Sequence, residues 1–268
     1  MLFLKPFFRS LLCLSSLLPL SAYAANESPN EAVDLLIMEQ IPYGFQTPDN
    51  RDTGVLFDIA LKLHQLSERT DDINTNTPTI IPTKRIITLL NQTKPTCTIV
   101  ADTPIISNNY DLIEPIGFKL SAGVLPAAGI SVTSYESLTD KSIAVPLGIM
   151  FDNRFHEDQD LNKVSVPQYV NGVKMIAAGR VDTVAGAISS LKYAAKMQNI
   201  SADHFGTPFI FNELDVYFVC NDQLPATQRT KFKQLIIDMK NDGTIPQILD
   251  HYFNLSSLIR RPQFALQS

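Results

Sequence analysis

The 268-residue chain is 45% apolar and carries a formal net charge of −5, enough length and hydrophobic content for one large domain or two small α/β lobes with buried cores. Its lysines and arginines are scattered, with no basic stripe and no aromatic ladder, which argues against a nucleic-acid partner and leaves the acidic balance to solubility.

Met1 to Ala24 combines early Lys5 and Arg9, an apolar middle, and Ala22 and Ala24 spaced as A-x-A. That is the pattern of a cleaved secretory signal peptide, so the product is expected to be exported. Lys5, Pro6, Arg9 and Pro19 keep the clean apolar run below the ~20 residues of a membrane span, so no stable membrane insertion is expected. Cys13 follows Leu12 rather than the small residue of a lipoprotein signal, so the expected product is soluble. Two cysteines then remain, Cys97 and Cys220. They can pair in an oxidising compartment, but each lies in an apolar run that would also suit a free buried thiol.

In the mature chain, Val33 to Glu39 reads as a strand. The Pro42, Gly44 and Pro48 punctuation after it places Tyr43 and Phe45 on a loop at the strand's carboxyl end. Ligands of open α/β sheets gather beyond such ends, which makes Tyr43 a candidate stacking residue; either ring can equally pack the loop. Gly54 to Ser67 has the apolar face of an amphipathic helix. Thr77 to Ile81 suits a strand, and Lys84 and Arg85 head the next helix. A cation there opposes the helix dipole, so Arg85 needs a partner, either a bound carboxylate or a neighbouring acid.

Arg85 to Ala101 and Val170 to Ala187 each read as helix, turn and strand. In the second, Gly179 stops the helix, and Val181 and Val184 begin a buried strand. This internal echo predicts two lobes built alike. Asp102 and Thr103 fall in the polar loop after the first unit's strand. Tyr110 to Leu125 is extended enough to cross between lobes. Ser142 to Pro146 is a strand, and the turn at Gly148 and Ile149 offers backbone N–H groups to an anion. Ser189 to Gln198 reads as a helix, Pro208 to Asn212 as a short piece, and Asp215 to Cys220 as a strand running back to the first lobe. Two amphipathic helices, Arg229 to Lys240 and the one in IPQILDHYF, close the pattern.

The four histidines lie too far apart for a metal site, and no nucleophile elbow, phosphate loop or dinucleotide fingerprint is present. Asp58, Glu114 and Asp182 are single carboxylates in separate segments, so no acid/base pair can be read from them. No catalytic residue, metal or cofactor is expected, and a binder is favoured over an enzyme.

Taken in order, PYGF, TGVLFDIALKL, TLLNQTKPTCTIVADTP, SLTDKSIAVPLG, AAGRVDTVAGA and FKQLIIDMKNDGTIPQILDHYF resemble the bacterial extracellular solute-binding proteins of family 3, the periplasmic receptors of amino-acid uptake. The resemblance implies a type II periplasmic-binding-protein fold: α/β, two lobes, each a sheet flanked by helices, joined by two hinge strands. The implied organisation is a signal peptide over 1–24, lobe one over 25–116, lobe two over 117–213, and a return to lobe one over 214–268. It implies a monomer that traps a small solute for an ABC permease or a membrane sensor. The family's carboxylate-binding arginine is replaced, since Thr103 and Pro104 are followed by Ile105 and Ile106. The acid that takes a ligand amine falls at Ala187, and the hydroxyl turn becomes Gly148, Ile149 and Met150. The usual amino-acid anchors are thus missing, with Arg85 or Arg154 as replacement cations. The preferred contacts are Tyr43, Asp102 and Thr103, with Arg85, Gly148 and Ile149 as further candidates. Asp182 is expected to hold local structure. Two other readings stay open: a cyclohexadienyl-dehydratase-like enzyme, and a protein without a ligand that docks a membrane partner in signalling.

Overall fold

The computed structural model describes residues 31–69, 73–147 and 152–253. The expected signal peptide, the Gly148–Ile149 turn and the segment after Phe253 lie outside these residues.

The chain begins with β1 (Asp34–Met38), whose carboxyl end turns through Tyr43 into a small hairpin of β2 (Phe45–Gln46) and β3 (Asp52–Thr53). α1 (Val55–Ser67) follows, burying Val55, Ile59, Ala60 and Leu63 on one face, as its helical spacing requires. β4 (Thr79–Ile81), α2 (Thr83–Leu90) and β5 (Thr96–Ala101) form the first repeat-like unit. After the short α3 (Pro104–Ser107), the 16-residue β6 (Asp111–Pro126) leaves this lobe.

In the second lobe come β7 (Ser142–Pro146), α4 (Asn153–Glu157), β8 (Asn162–Val166), α5 (Tyr169–Ala177), β9 (Thr183–Ala187) and α6 (Ile188–Met197). Gly179, at φ 64°, ends the α5 unit in the left-handed region that a side chain would resist, as the sequence pattern predicts. β10 (Phe209–Cys220) returns to lobe one, where α7 (Ala226–Asn241) and α8 (Thr244–Phe253) complete the described fold.

Among the described residues, eight strands are hydrogen-bonded in the order β4-β1-β5-β10-β6-β9-β7-β8. β1 pairs in parallel with β4 and β5, and β7 pairs in parallel with β8 and β9. Between these halves run the two crossing strands. The first residues of β6, from Asp111 to Pro115, pair with the end of β10, while its last, from Ala122 to Pro126, pair with β9. A single antiparallel ribbon thus joins the two halves.

The cores follow the same division. Leu35, Ile37, Ile59, Ile99, Phe218 and Phe232 belong to one apolar cluster in lobe one. In lobe two, strand alternation sends Leu125 and Val184 to one face of the sheet, with Val173 and Leu191, and Val124 and Ala185 to the other, with Ile143 and Phe155.

Two elements differ from the sequence pattern. Pro208 to Asn212 and Asp215 to Cys220 are not separate pieces: β10 runs unbroken from Phe209, with irregular register at Ile210/Asn212 and Asp215/Tyr217 that absorbs the non-alternating residues between. β8, NKVSV, is an additional edge strand. Only Val166 in it is fully buried, so it carries little of the apolar signal by which strands are recognised.

Candidate functional site

A cleft of about 790 Å³ opens where residues of both halves meet, within the ~300–1,000 Å³ of small-molecule sites. It lies beyond the carboxyl ends of four strands: Glu39 follows β1, Pro82 follows β4, Pro146 ends β7 and Pro167 follows β8. This is where parallel α/β sheets leave room for ligands, because the strand-to-helix turns splay apart there.

Two residues of opposite charge line it, both from lobe one. The Glu39 backbone N–H donates to Ile81 O at 2.8 Å, which holds the end of β1 against the end of β4. Lys84 sits in the first turn of α2, whose N-cap is Pro82 and supplies no side-chain cap. Neither side chain has an ion-pair partner among the described residues. A lysine beside the positive end of a helix favours an anion at that spot. Gln40, Gln46, Thr83 and Gln168 add neutral polar groups, while Ile41, Phe45, Ile80 and Val170 add apolar wall. Leu147 and Met197, 64% and 46% exposed, bring apolar side chains from lobe two. The arrangement can bind a small solute with both charged and apolar parts. Glu39 is the sole carboxylate among the described lining residues, so the cleft offers no acid/base pair.

Tyr169 closes the floor on the lobe-two side. Its hydroxyl accepts a hydrogen bond from Ala187 N at 3.3 Å, and burial pushes the phenol pKa up. The ring fits because residue 186 is glycine, at φ 151°: a Cβ there would fall 2.2 Å from the ring's Cε1.

The residues singled out from sequence are dispersed. Tyr43 is 1% exposed; its hydroxyl lies 2.9 Å from Ser189 Oγ at the head of α6, and burial raises its pKa. It stands behind the cleft and is not one of its lining residues. Arg85 is exposed on α2; its neighbour Lys84 is the cation that lines the cleft. Asp102 is half-buried and its N–H donates to Asp215 O, while Thr103 precedes α3 and its carbonyl accepts from the N–H groups of Ile106 and Ser107. Neither lines the cleft. Gly148 and Ile149 lie outside the described residues, although the adjacent Leu147 is a lining residue. Arg154, the other replacement cation, sits 3.6 Å over the Tyr135 ring and pairs with Glu136 at 3.1 Å.

Other residues have structural partners. Asp182 accepts from Ser142, and Glu114 from Lys240. Cys97 and Cys220 form a disulfide between β5 and β10. Among the described residues no three histidine, cysteine or acidic side chains gather as a metal site, and no helix is long and apolar enough to cross a membrane. Glu39, Gln168 and Met197 carried no signal in sequence; Lys84 did, as a cation at a helix start.

No family model matches the chain. The probable amino-acid-binding protein YxeM of Bacillus subtilis (strain 168) is 22% identical over 177 residues, covering 65% of this chain and 64% of that protein. The match thus spans just under two thirds of the curated relative. A crystal structure of ArgBP from T. maritima aligns with TM-score 0.63 at 13% identity, over 84% of this chain and 96% of that one. The fold is that of the two-lobed solute-binding proteins. A histidine kinase sensor domain with similarity to periplasmic binding proteins shares it, with TM-score 0.63 at 12% identity over 83% and 95% of the two chains. The resemblance to family 3 solute-binding proteins drawn from the ordered motifs agrees with these relatives.

Proposed function

We propose that this chain is an exported solute-binding protein that captures a small solute between its lobes by hinge closure and serves an importer or a sensor. The carrying observation is the cleft itself: one cavity, lined from both halves at the carboxyl ends of their strands, in a fold whose halves are joined by two crossing strands. Binding there stabilises the shut form only through contacts the solute makes with both lobes at once. On this reading Lys84, with the head of α2, takes the solute's anionic group, Glu39 favours a positive group on the same solute, and Leu147 and Met197 cover its apolar part. The familiar arginine of amino-acid receptors is then replaced from a different element of lobe one. The named relatives include a probable amino-acid-binding protein, ArgBP and a histidine kinase sensor domain, which supports solute capture and leaves transport and sensing as two outlets of one mechanism.

An enzymatic role on this fold is the weaker reading, because Glu39 has no second carboxylate or histidine beside it among the described lining residues. The test is thermal denaturation against a panel of amino acids, short peptides, organic acids and amines. A ligand present at about one hundred times its dissociation constant adds about 2.7 kcal/mol. For a chain of this size that raises the midpoint by roughly 5–10 °C. A folded protein whose midpoint no member of the panel moves would overturn the reading.

A further inference from the structure

Residues 40–45 of lobe one meet the first two turns of α6 in lobe two through four contacts, none involving a solute. The Tyr43 hydroxyl lies 2.9 Å from Ser189 Oγ. Gln40 Nε2 donates to Ser190 Oγ at 3.4 Å. The Phe45 and Tyr193 rings stand 5.8 Å apart at 60°. Ile41 packs against the lobe-two cluster that contains Tyr169, Ile188 and Leu191, and reciprocally Tyr193 packs against the core of lobe one. We infer that these side chains form a latch that holds the cleft shut before a solute arrives.

The physical case rests on what opening would undo. Tyr43 and Ser190 are at 1% and 0% exposure, so parting the lobes here takes the Tyr43 hydroxyl from Ser189 and the Ser190 hydroxyl from the Gln40 amide, and returns the apolar faces of Ile41, Phe45 and Tyr193 to water. α6 is suited to its part: its N-cap, Ala187, offers no side-chain cap, and the hydroxyls of Ser189 and Ser190 face the other lobe instead. Tyr43, the aromatic that sequence reasoning offered to a ligand, is thereby spent on the protein's own closure.

For the solute site the consequence is regulatory, and this part rests on the solute-binding reading. Apparent affinity scales with the fraction of molecules already in the binding-competent form. Loosening the latch at Tyr43, Ser189 or Ser190, which unlike Gln40, Ile41 and Phe45 do not line the cleft, therefore weakens binding without touching the solute's own contacts.

The experiment is pulsed electron–electron resonance on solute-free protein, spin-labelled at Thr88→Cys on α2 and Asn162→Cys on β8, which are exposed and lie on different lobes. The expected result is one dominant short-distance population that gains a longer-distance population in the Tyr43→Phe/Ser189→Ala double variant. Should that variant not fold, as judged by circular dichroism, Ser190→Ala gives the same readout. A long-distance population dominating the unsubstituted solute-free protein, or a distribution unmoved by the substitutions, overturns the latch. Because no solute is present, failure to find a ligand does not affect this result. A protein that is open when empty and shuts on a solute would discard the latch while leaving the receptor reading intact.

Discussion

The Asp182 carboxylate holds the start of β7 through Ser142: its Oδ2 accepts from the Ser142 N–H at 2.8 Å and from the Ser142 hydroxyl at 2.7 Å, and the Asp182 N–H donates back to Ser142 Oγ at 2.9 Å. The hydroxyl first, and then the backbone N–H, hold the carboxyl below its usual range. A depressed folded pKa contributes stability that is present above the unfolded value of about 4 and is lost as the pH falls through the folded value. Asp182→Asn is expected to cost about 1 kcal/mol at neutral pH. It should also flatten the decline of the melting midpoint below about pH 4. Melting curves from pH 2 to 7 check this; an unchanged acid limb would remove Asp182 from the account of lobe-two stability.

Cys97 and Cys220 occupy directly paired positions on β5 and β10, both fully buried, and the bridge closes a loop of sequence separation 123. Cross-linking residues so far apart restricts the unfolded chain, and bridges of this kind contribute about 2–4 kcal/mol. The Cys97→Ser/Cys220→Ser protein is therefore expected to unfold at clearly lower urea concentration than the oxidised parent, and reductant should lower the parent toward it. Coincident curves for oxidised and reduced parent would contradict this.

The fold was legible because its signals are local and redundant. Gly179 after an apolar helical stripe, the Val181 and Val184 run, and the amphipathic face of α1 each fix one element, and their order points to the two-lobed architecture. Sequence resolved the site less well, because the cleft is assembled by strand ends distant in the chain. Glu39, Gln168 and Met197 are ordinary surface residues until β1, β8 and α6 bring them to one cavity. Lys84 and Arg85 share a helix start, and only the direction in which α2 faces the cleft distinguishes them. Tyr43 was visible as an aromatic on a functional loop, but its partner Ser189 lies 146 residues away, and no local pattern announces such a contact.

That choice between adjacent cations gives a discriminating prediction. Lys84→Gln is expected to weaken binding of an anionic solute by roughly tenfold, in keeping with the ~1.5–3 kcal/mol of a hydrogen bond to a charged group. Arg85→Gln, which alters an exposed residue outside the lining, should change it less than about twofold, as an exposed charge does. Calorimetric titration of both variants with one solute decides the matter; a larger loss in the arginine variant would move the anion site off Lys84.

The central claim, that a solute is held by both lobes at once, is tested most directly by amide hydrogen exchange with and without the solute that most raises the melting midpoint. Slowed exchange is expected together at the end of β1 and the head of α2, around Glu39 and Thr83–Lys84, and at the end of β7 and the head of α5, around Leu147 and Tyr169–Val170. Protection confined to one lobe, or found only in the loop at Asp102 and Thr103, would contradict it.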